Sequence, residues 1–584
     1  MGRAETAAFG SDIVAETLRS LDIPYIALNP GASFRGLHDS LVNHLGNDRP
    51  QMLLCLHEEH AVAIAQGYAK VTGKAMAVAV HSNVGLFHAT MAIFNAWCDR
   101  MPVLVIGATG PLDAEKRRPW IDWIHTARDQ GAIVRNYIKW DDQPASPGAA
   151  REALIRATWI AETLPAGPVY VNLDAWMQEA PLAAPLPPLD PRRLAPKIEQ
   201  RPAAEDVDRV AAMLRAAKRP LILVGRVSRS ERGWAERIAL AEAVGARVLT
   251  DLKVGAGFPT DHRLSLAPPG VFPLPPAHAA LEQADVVLSL DWIALNGVLP
   301  SRPAAQVIHV SLDHHLHNGW SMDHQALAPV DQLIAADPDA LVSALCRALA
   351  VASGAVETAV VTSPESGLES ADAAGPLLVS DLAVRLRAAL AGRLVSLLHL
   401  PLSWDGAFWP FRHPLDFIGS DGGGGIGAGP GISVGAALAL RGSGRLPVSI
   451  CGDGDFLMGV TALWTAVHYK LPLLLVVANN RSFFNDEVHQ ERVARARGRP
   501  VENKWIGQRM TDPEIDLAGM ARAQGAEGFG PVTARAELDQ AYRRAIAVVE
   551  AGGVAVVDVR VEPGYTPAMA SALTRETKIR ETKE

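Results

Sequence analysis

The chain of 584 residues is 49% hydrophobic and 20% charged, the make-up of a globular protein long enough for several domains. A net charge of -8 and a pI near 6.1, without basic clusters, argue against nucleic acid or an anionic membrane as the main partner. No stretch reaches the roughly 20 apolar residues of a membrane span. The cysteines Cys55, Cys98, Cys346 and Cys451 are scattered, as buried thiols of a reducing cytoplasm would be.

The opening "MGRAETAAFGSDIVAETL" has no apolar run behind its basic residue, so it does not read as a signal peptide. Its Met-Gly start with Thr6 meets the short myristoylation pattern, but nothing else suggests an anchor. Farther on, "MAVAVHS" and "MPVLVIGAT" read as buried strands around the helical "FHATMAIFNAW". A proline-rich stretch at 181–204 is expected to run extended over the surface and to close a first domain at 1–180. In a second domain at 205–350, "RPLILVGR", "ARVLTD", "ADVVLSLDW" and "QVIHVSLD" are strand-like. The small, polar, aperiodic stretch 351–376 is a second linker, and 377–584 a third domain with strands in "PVSICGDG", "LPLLLVVANN" and "GVAVVDVRV". Continuous apolar strands alternating with helices predict α/β architecture: three consecutive domains, each a parallel sheet flanked by helices.

The third domain carries the most specific pattern, "ICGDGDFLMGVTALWTAVHYKLPLLLVVANNRS", from Ile450 to Ser482. Parallel sheets bind ligands at the carboxyl ends of their strands, and Asp453 and Asn480 both fall at such ends. The intervening residues have helical spacing, so a right-handed crossover can bring the two ends side by side. Gly452 and Gly454 permit a tight turn and close approach of a bulky anion. A carboxylate and an amide oxygen suit a hard cation such as Mg²⁺.

This Gly-Asp-Gly to Asn-Asn unit resembles the signature of thiamine-diphosphate-dependent enzymes, in the group of pyruvate decarboxylase, benzoylformate decarboxylase and acetolactate synthase. The resemblance implies that Asp453, Asn480 and the Ser482 carbonyl hold Mg²⁺, which carries the diphosphate of thiamine diphosphate. It divides the chain into pyrimidine-binding, central and diphosphate-binding domains. In "LHEEHAVAIAQGYAKVTGK" it selects Glu58, not Glu59, as the glutamate that bonds N1' of the cofactor's aminopyrimidine. The alternative for Glu58 is a helix-capping role. In "DGGGGIGAGPGISVG" the resemblance places Ile426 under the cofactor, forcing its two rings into a bent shape, with Gly424, Gly425 and Gly427 lining the approach.

"HSNVGLFHATMAIFNAWCDRMPVLVIGATG" and "GPVYVNLDAW" match the family's first domain as well; the middle domain matches in pattern only. Relatives sometimes hold FAD or a nucleotide there, but "ILVGRVSRSERGW" offers one glycine where a phosphate loop would be richer, which argues against FAD. The implied reaction is decarboxylation of a 2-oxo acid, or acetolactate-synthase-like carboligation, through an enamine. His81, His125 and Asp486 are candidate proton handlers, and Ser33 in "NPGASF" is a pocket candidate, although Ala32 takes the position directly after the glycine. Arg492, Arg495 and Arg497 form either a solvated face or an anion contact, and "DHHLHNGW" reads as surface or interface histidines rather than a metal site. The family shares its active site between two chains, which implies a homodimer or a tetramer of two dimers. Competing readings are cleavage of a cyclic diketone or of a 2-hydroxyacyl- or oxalyl-CoA, and a non-catalytic regulatory protein on the same fold. A nicotinamide oxidoreductase lacks its glycine fingerprint here.

Overall fold

The structure, a computed structural model, describes residues 7–272, 275–300, 303–316, 326–351 and 375–565. The first sheet contains β1 (Tyr25–Leu28), β2 (Gln51–Leu54), β3 (Met76–Val80), β4 (Val103–Thr109), β5 (Asp141–Asp142) and β6 (Val169–Asp174), in the order β2-β1-β3-β4-β6-β5. The middle sheet contains β7 (Pro220–Val224), β8 (Arg247–Thr250), β9 (Val286–Leu290), β10 (Gln306–Val310) and β11 (Gln332–Ile334), in the order β11-β10-β9-β7-β8. The third contains β12 (Val395–His399), β13 (Leu446–Gly452), β14 (Leu473–Asn479), β15 (Glu527–Val532) and β16 (Val554–Arg560), in the order β12-β13-β14-β16-β15. The paired strands run parallel, and β3, β4, β6 and β14 are buried along their whole length. Helices cover both faces, which is why β3 is apolar throughout and β4 and β14 are apolar up to their last residue, while β6 buries the polar Asn172.

Six helices position the site: α1 (Glu58–Thr72), α2 (Ser82–Asp99), α3 (Ala428–Ala439), α4 (Asp453–Gly459), α5 (Ala462–His468) and α6 (Phe484–Ala496). The stretch from Phe456 to Leu471, expected to be one helical run, is divided between α4 and α5. The break follows Gly459, whose missing side chain admits the Gly427 carbonyl and the Pro430 ring. Gly452 lies in ordinary extended backbone, so it does not supply the tight turn expected of it. The linker at 181–204 contains a one-turn helix, Pro191–Leu194, because proline's fixed φ suits a first helical turn. Residues 352–374 of the second linker, and Thr6, lie outside the described residues. Among the described residues no helix is long and apolar enough to cross a membrane.

α1 and α3 meet backbone to backbone. Side chains at Gly67 and Gly435 would collide with the carbonyls of Ile432 and Ile64, and one at Gly431 would press on Ala63. The pairings advance together along both helices, Ala63 with Gly431 and Gly67 with Ala436, so the helices run in the same direction. Their first turns therefore lie at the same end. One hydrophobic core spans the contact, including Val62 and Ile64 of α1 with Ile432, Val434 and Leu438 of α3.

The middle domain is tied in by charge. Arg226, after β7, faces Asp291, after β9, at 3.4 Å and Asp313, after β10, at 3.0 Å. Arg100, just past α2, joins Asp313 at 2.5 Å. Asp313 opens the "DHHLHNGW" stretch, so that stretch begins at a domain interface; His317 and the residues to Trp320 lie outside the described residues.

His60 of α1 reaches across to the third domain, its Nε2 lying 2.8 Å from Thr461 Oγ1, and burial pushes its pKa down to about 4. The unfolded chain therefore binds more protons than the folded one between about pH 6.5 and pH 4, and stability present above that window is lost as pH falls through it. Denaturant titrations at pH 7 and pH 4.5 are expected to differ by up to about 3 kcal/mol less in H60Q than in the parent. Equal losses in the two proteins would contradict this assignment.

Candidate active site

β13 and β14 are neighbours, with Gly452 opposite Ala478, so Asp453 and Asn480 leave the sheet side by side. Asp453 Oδ1 accepts the Gly454 N–H at 2.8 Å, and its Oδ2 accepts the Ser482 N–H at 3.2 Å. Asn480 Oδ1 accepts the same Ser482 N–H at 2.9 Å. A carboxylate oxygen and an amide oxygen thus converge on one point. Asp453 is only 4% exposed, and burial raises its pKa to about 6 although backbone N–H groups oppose the shift. Such a carboxylate calls for a cation, and hard oxygen donors of this kind fit Mg²⁺. Beside them, the position where a Gly452 side chain would stand is open space, as a diphosphate requires. Gly454 is needed for another reason, since the Phe483 ring packs where its side chain would be.

The two asparagines divide their work. Asn479 is buried and donates to Asp558 at 2.8 Å, holding β14 to β16, while Asn480 Oδ1 turns to the Ser482 N–H beside Asp453. Ser482 Oγ donates to Glu487 at 2.5 Å, and Arg509 Nε completes that pair at 3.1 Å. Glu487 is fully buried, whereas Asp486 is exposed on α6. The carboxylate that touches Ser482 is therefore Glu487, next to the candidate proton handler Asp486. The segment leaving at Phe484 returns beside its start, through Phe483 N–H to Gln508 O at 3.1 Å and Met510 N–H to Arg481 O at 2.8 Å. On its outer face Arg495 pairs with Glu491 at 2.6 Å, and Arg497 is exposed.

Glu58 is the first residue of α1, and His57 is its N-cap, accepting the Glu59 N–H on Nδ1 at 3.1 Å. The capping alternative therefore falls to His57. Glu58 is buried, its Oε2 lies 3.2 Å from His88 Nδ1, and its Oε1 faces Gly85. Glu59 is half-buried, with its pKa raised by burial and by Asp455. α2 touches both sides of the site. Its early residues Gly85 and His88 meet Glu58; its later residues Met91 and Asn95 pack on Gly425, whose N–H donates to Asn95 Oδ1 at 3.4 Å. In the same loop Gly424 borders open space, Ile426 is 46% exposed, and Gly427 has φ +105°.

Three candidates from separate parts of the sequence come together. Ser33 Oγ lies 2.8 Å from His81 Nδ1, and the Ser33 N–H points at the same nitrogen at 3.4 Å. The His81 and His125 ring centroids are 4.7 Å apart. Burial, and then His125, lower the His81 pKa. Ala32 does follow Gly31, but the 3-10 turn Ala32–Phe34 turns Ser33 inward.

The chain is similar to known proteins along most of its length. Residues 9–133 match the family described as thiamine pyrophosphate enzyme, N-terminal TPP binding domain; residues 207–344 match its central domain, and 402–559 its C-terminal TPP binding domain. A benzoylformate decarboxylase of Pseudomonas aeruginosa is 25% identical over 88% of this chain and 92% of its own length. An acetolactate synthase large subunit of Lactococcus lactis is 25% identical over 82% of each chain. Among solved structures, a Rhodococcus jostii thiamine diphosphate-dependent 4-hydroxybenzoylformate decarboxylase shares the fold with a TM-score of 0.76 at 23% identity, covering 95% of this chain and all 100% of that one. With its three domains matched in order, the chain belongs to the thiamine-diphosphate-dependent enzyme family.

Proposed function

We propose that this enzyme uses thiamine diphosphate and Mg²⁺ to decarboxylate a 2-oxo acid. The observation that carries the reading is the buried carboxylate of Asp453, stabilised by backbone N–H groups alone, beside the Asn480 amide oxygen. Asp453, Asn480 and the Ser482 carbonyl hold the metal, Gly452 leaves room for the diphosphate, and Gly424, Gly425, Ile426 and Gly427 line the cofactor's ring side. Thiamine diphosphate, when bound, would supply an electron sink for the pair left on the substrate's carbonyl carbon as CO₂ leaves. Glu58 shares a proton with the aminopyrimidine N1' through the carboxylate oxygen that His88 leaves free.

The Ser33, His81 and His125 cluster supports protonation and release of an aldehyde over carboligation, because an imidazole that has taken up a proton can pass it to the substrate carbon as CO₂ leaves. The relatives' names point both ways, to benzoylformate decarboxylase and to acetolactate synthase, so the preference rests on this cluster. Asp486, exposed on α6, is left without a role in this reading. The ion pairs at the carboxyl ends of β7, β9 and β10 support a structural middle domain rather than an FAD site.

A panel of 2-oxo acids, assayed for CO₂ and carbonyl products, tests the reading. Turnover should require both thiamine diphosphate and Mg²⁺, fall by about 100-fold or more in E58Q, and fall by about 100-fold in H81A. Parental turnover in E58Q would sink the mechanism; bound cofactor with no turnover would move diketone or acyl-CoA cleavage to the front.

The site also needs a second chain in this reading. Among the described residues no hydrogen bond or ion pair joins Glu58 to Asp453, Asn480 or Ser482, and apolar Phe87, Ile426 and Met458 stand exposed around the glycine loop and the start of α2. Sedimentation of the working enzyme is expected to give a dimer or a tetramer of two dimers. An active monomer would contradict the shared site.

A further inference from the structure

Asp455 has no part in the proposed chemistry, yet it joins the two sides of the cofactor cradle. It lies on the first turn of α4, two residues after Asp453, and its Oδ1 accepts the N–H of Gly427 at 2.7 Å and of Gly429 at 3.2 Å. These amides open α3 and directly follow Ile426. The first N–H groups of a helix have no partner inside it, and here a carboxylate from another element satisfies two of them.

The fit allows little else at these positions. Gly427 holds φ +105°, which side-chain-bearing residues rarely adopt, and a side chain at Gly429 would collide with the Asp455 carboxylate. At the other end of α4, Gly459 makes room for the Gly427 carbonyl. α4 thus grips the loop by an N–H at one end and beside a carbonyl at the other. Asp455 Oδ2 is buried beside the Cys451 thiol, with His399 Nδ1 3.8 Å away. Burying a carboxylate costs stability, so packing alone does not account for an aspartate here.

We propose that Asp455 is a positioning residue that fixes Ile426 relative to the metal corner. Asp453 and Asp455 share one helical turn, so the diphosphate anchor and the residue beneath the rings are held at a set separation. This rests on the reading that thiamine diphosphate lies over Ile426.

Proton exchange at C2 of bound thiamine diphosphate in D₂O tests the idea without any substrate. Alongside it go the affinity for Mg²⁺ and thiamine diphosphate, and deuterium uptake by the 424–430 backbone of the cofactor-free protein. In D455A the C2 exchange is expected to slow by about 10- to 100-fold with affinity changed by less than about threefold, because misplacement by an ångström or less costs rate before binding. The 424–430 backbone should take up deuterium faster. D455N, which keeps an accepting oxygen, should return C2 exchange to within about fivefold of the parent. Adding I426A to D455A should cost little more, since both act through one contact.

C2 exchange at the parental rate in D455A, or losses in D455A and I426A that multiply, would overturn the positioning role. Should D455A fail to fold, D455S carries the same comparison, its hydroxyl being too short to reach Gly427. If the parent itself does not speed C2 exchange beyond the free cofactor, the reading of the site fails, and the positioning role with it.

Discussion

The backbone contact between α1 and α3 is the constraint on which the rest depends. Helices from the first and third domains can approach this closely only because Gly67, Gly431 and Gly435 carry no side chains where Ile432, Ala63 and Ile64 press in. The shared direction of the helices then sets Glu58 and the glycine loop at the same end of the contact. α2 spans that end, bearing on Glu58 through His88 and on Gly425 through Met91 and Asn95. The contact thereby holds together elements almost 400 positions apart, roughly the separation from Glu58 to Asp453.

Two buried aspartates show how the fold treats charge. Burial pushes the Asp313 carboxyl up, but Arg226 and Arg100 outweigh it and hold the group well below the usual carboxylate range. Asp453 is similarly buried and has only backbone N–H groups to oppose the same effect, so its pKa stays high. The first pair of charges is complete and ties domains together. The second has no charged side-chain partner among the described residues, and Asn480 sets a neutral oxygen beside it.

Much of this architecture was legible in the sequence, for a physical reason. Strands buried on both faces must be largely apolar, so β3, β4 and β14 stand out without alignment. Asp453, Asn480 and Glu58 were legible because their spacing matches a family signature. Features decided by distant partners were not. The break between α4 and α5 depends on Gly427 and Pro430, the role of Asn479 on Asp558, and the inward turn of Glu487 on Ser482 and Arg509. Ser33 and His125 are 92 residues apart, and only the fold places both beside His81.

If Asp453 and Asn480 hold the metal through which the cofactor binds, cofactor affinity must depend on that metal. Calorimetric titration of thiamine diphosphate into chelator-treated protein, with and without added Mg²⁺, measures this dependence directly. Binding is expected to be at least about 100-fold tighter with Mg²⁺, since the metal carries the diphosphate. Equal affinity in the presence of chelator would contradict the metal corner.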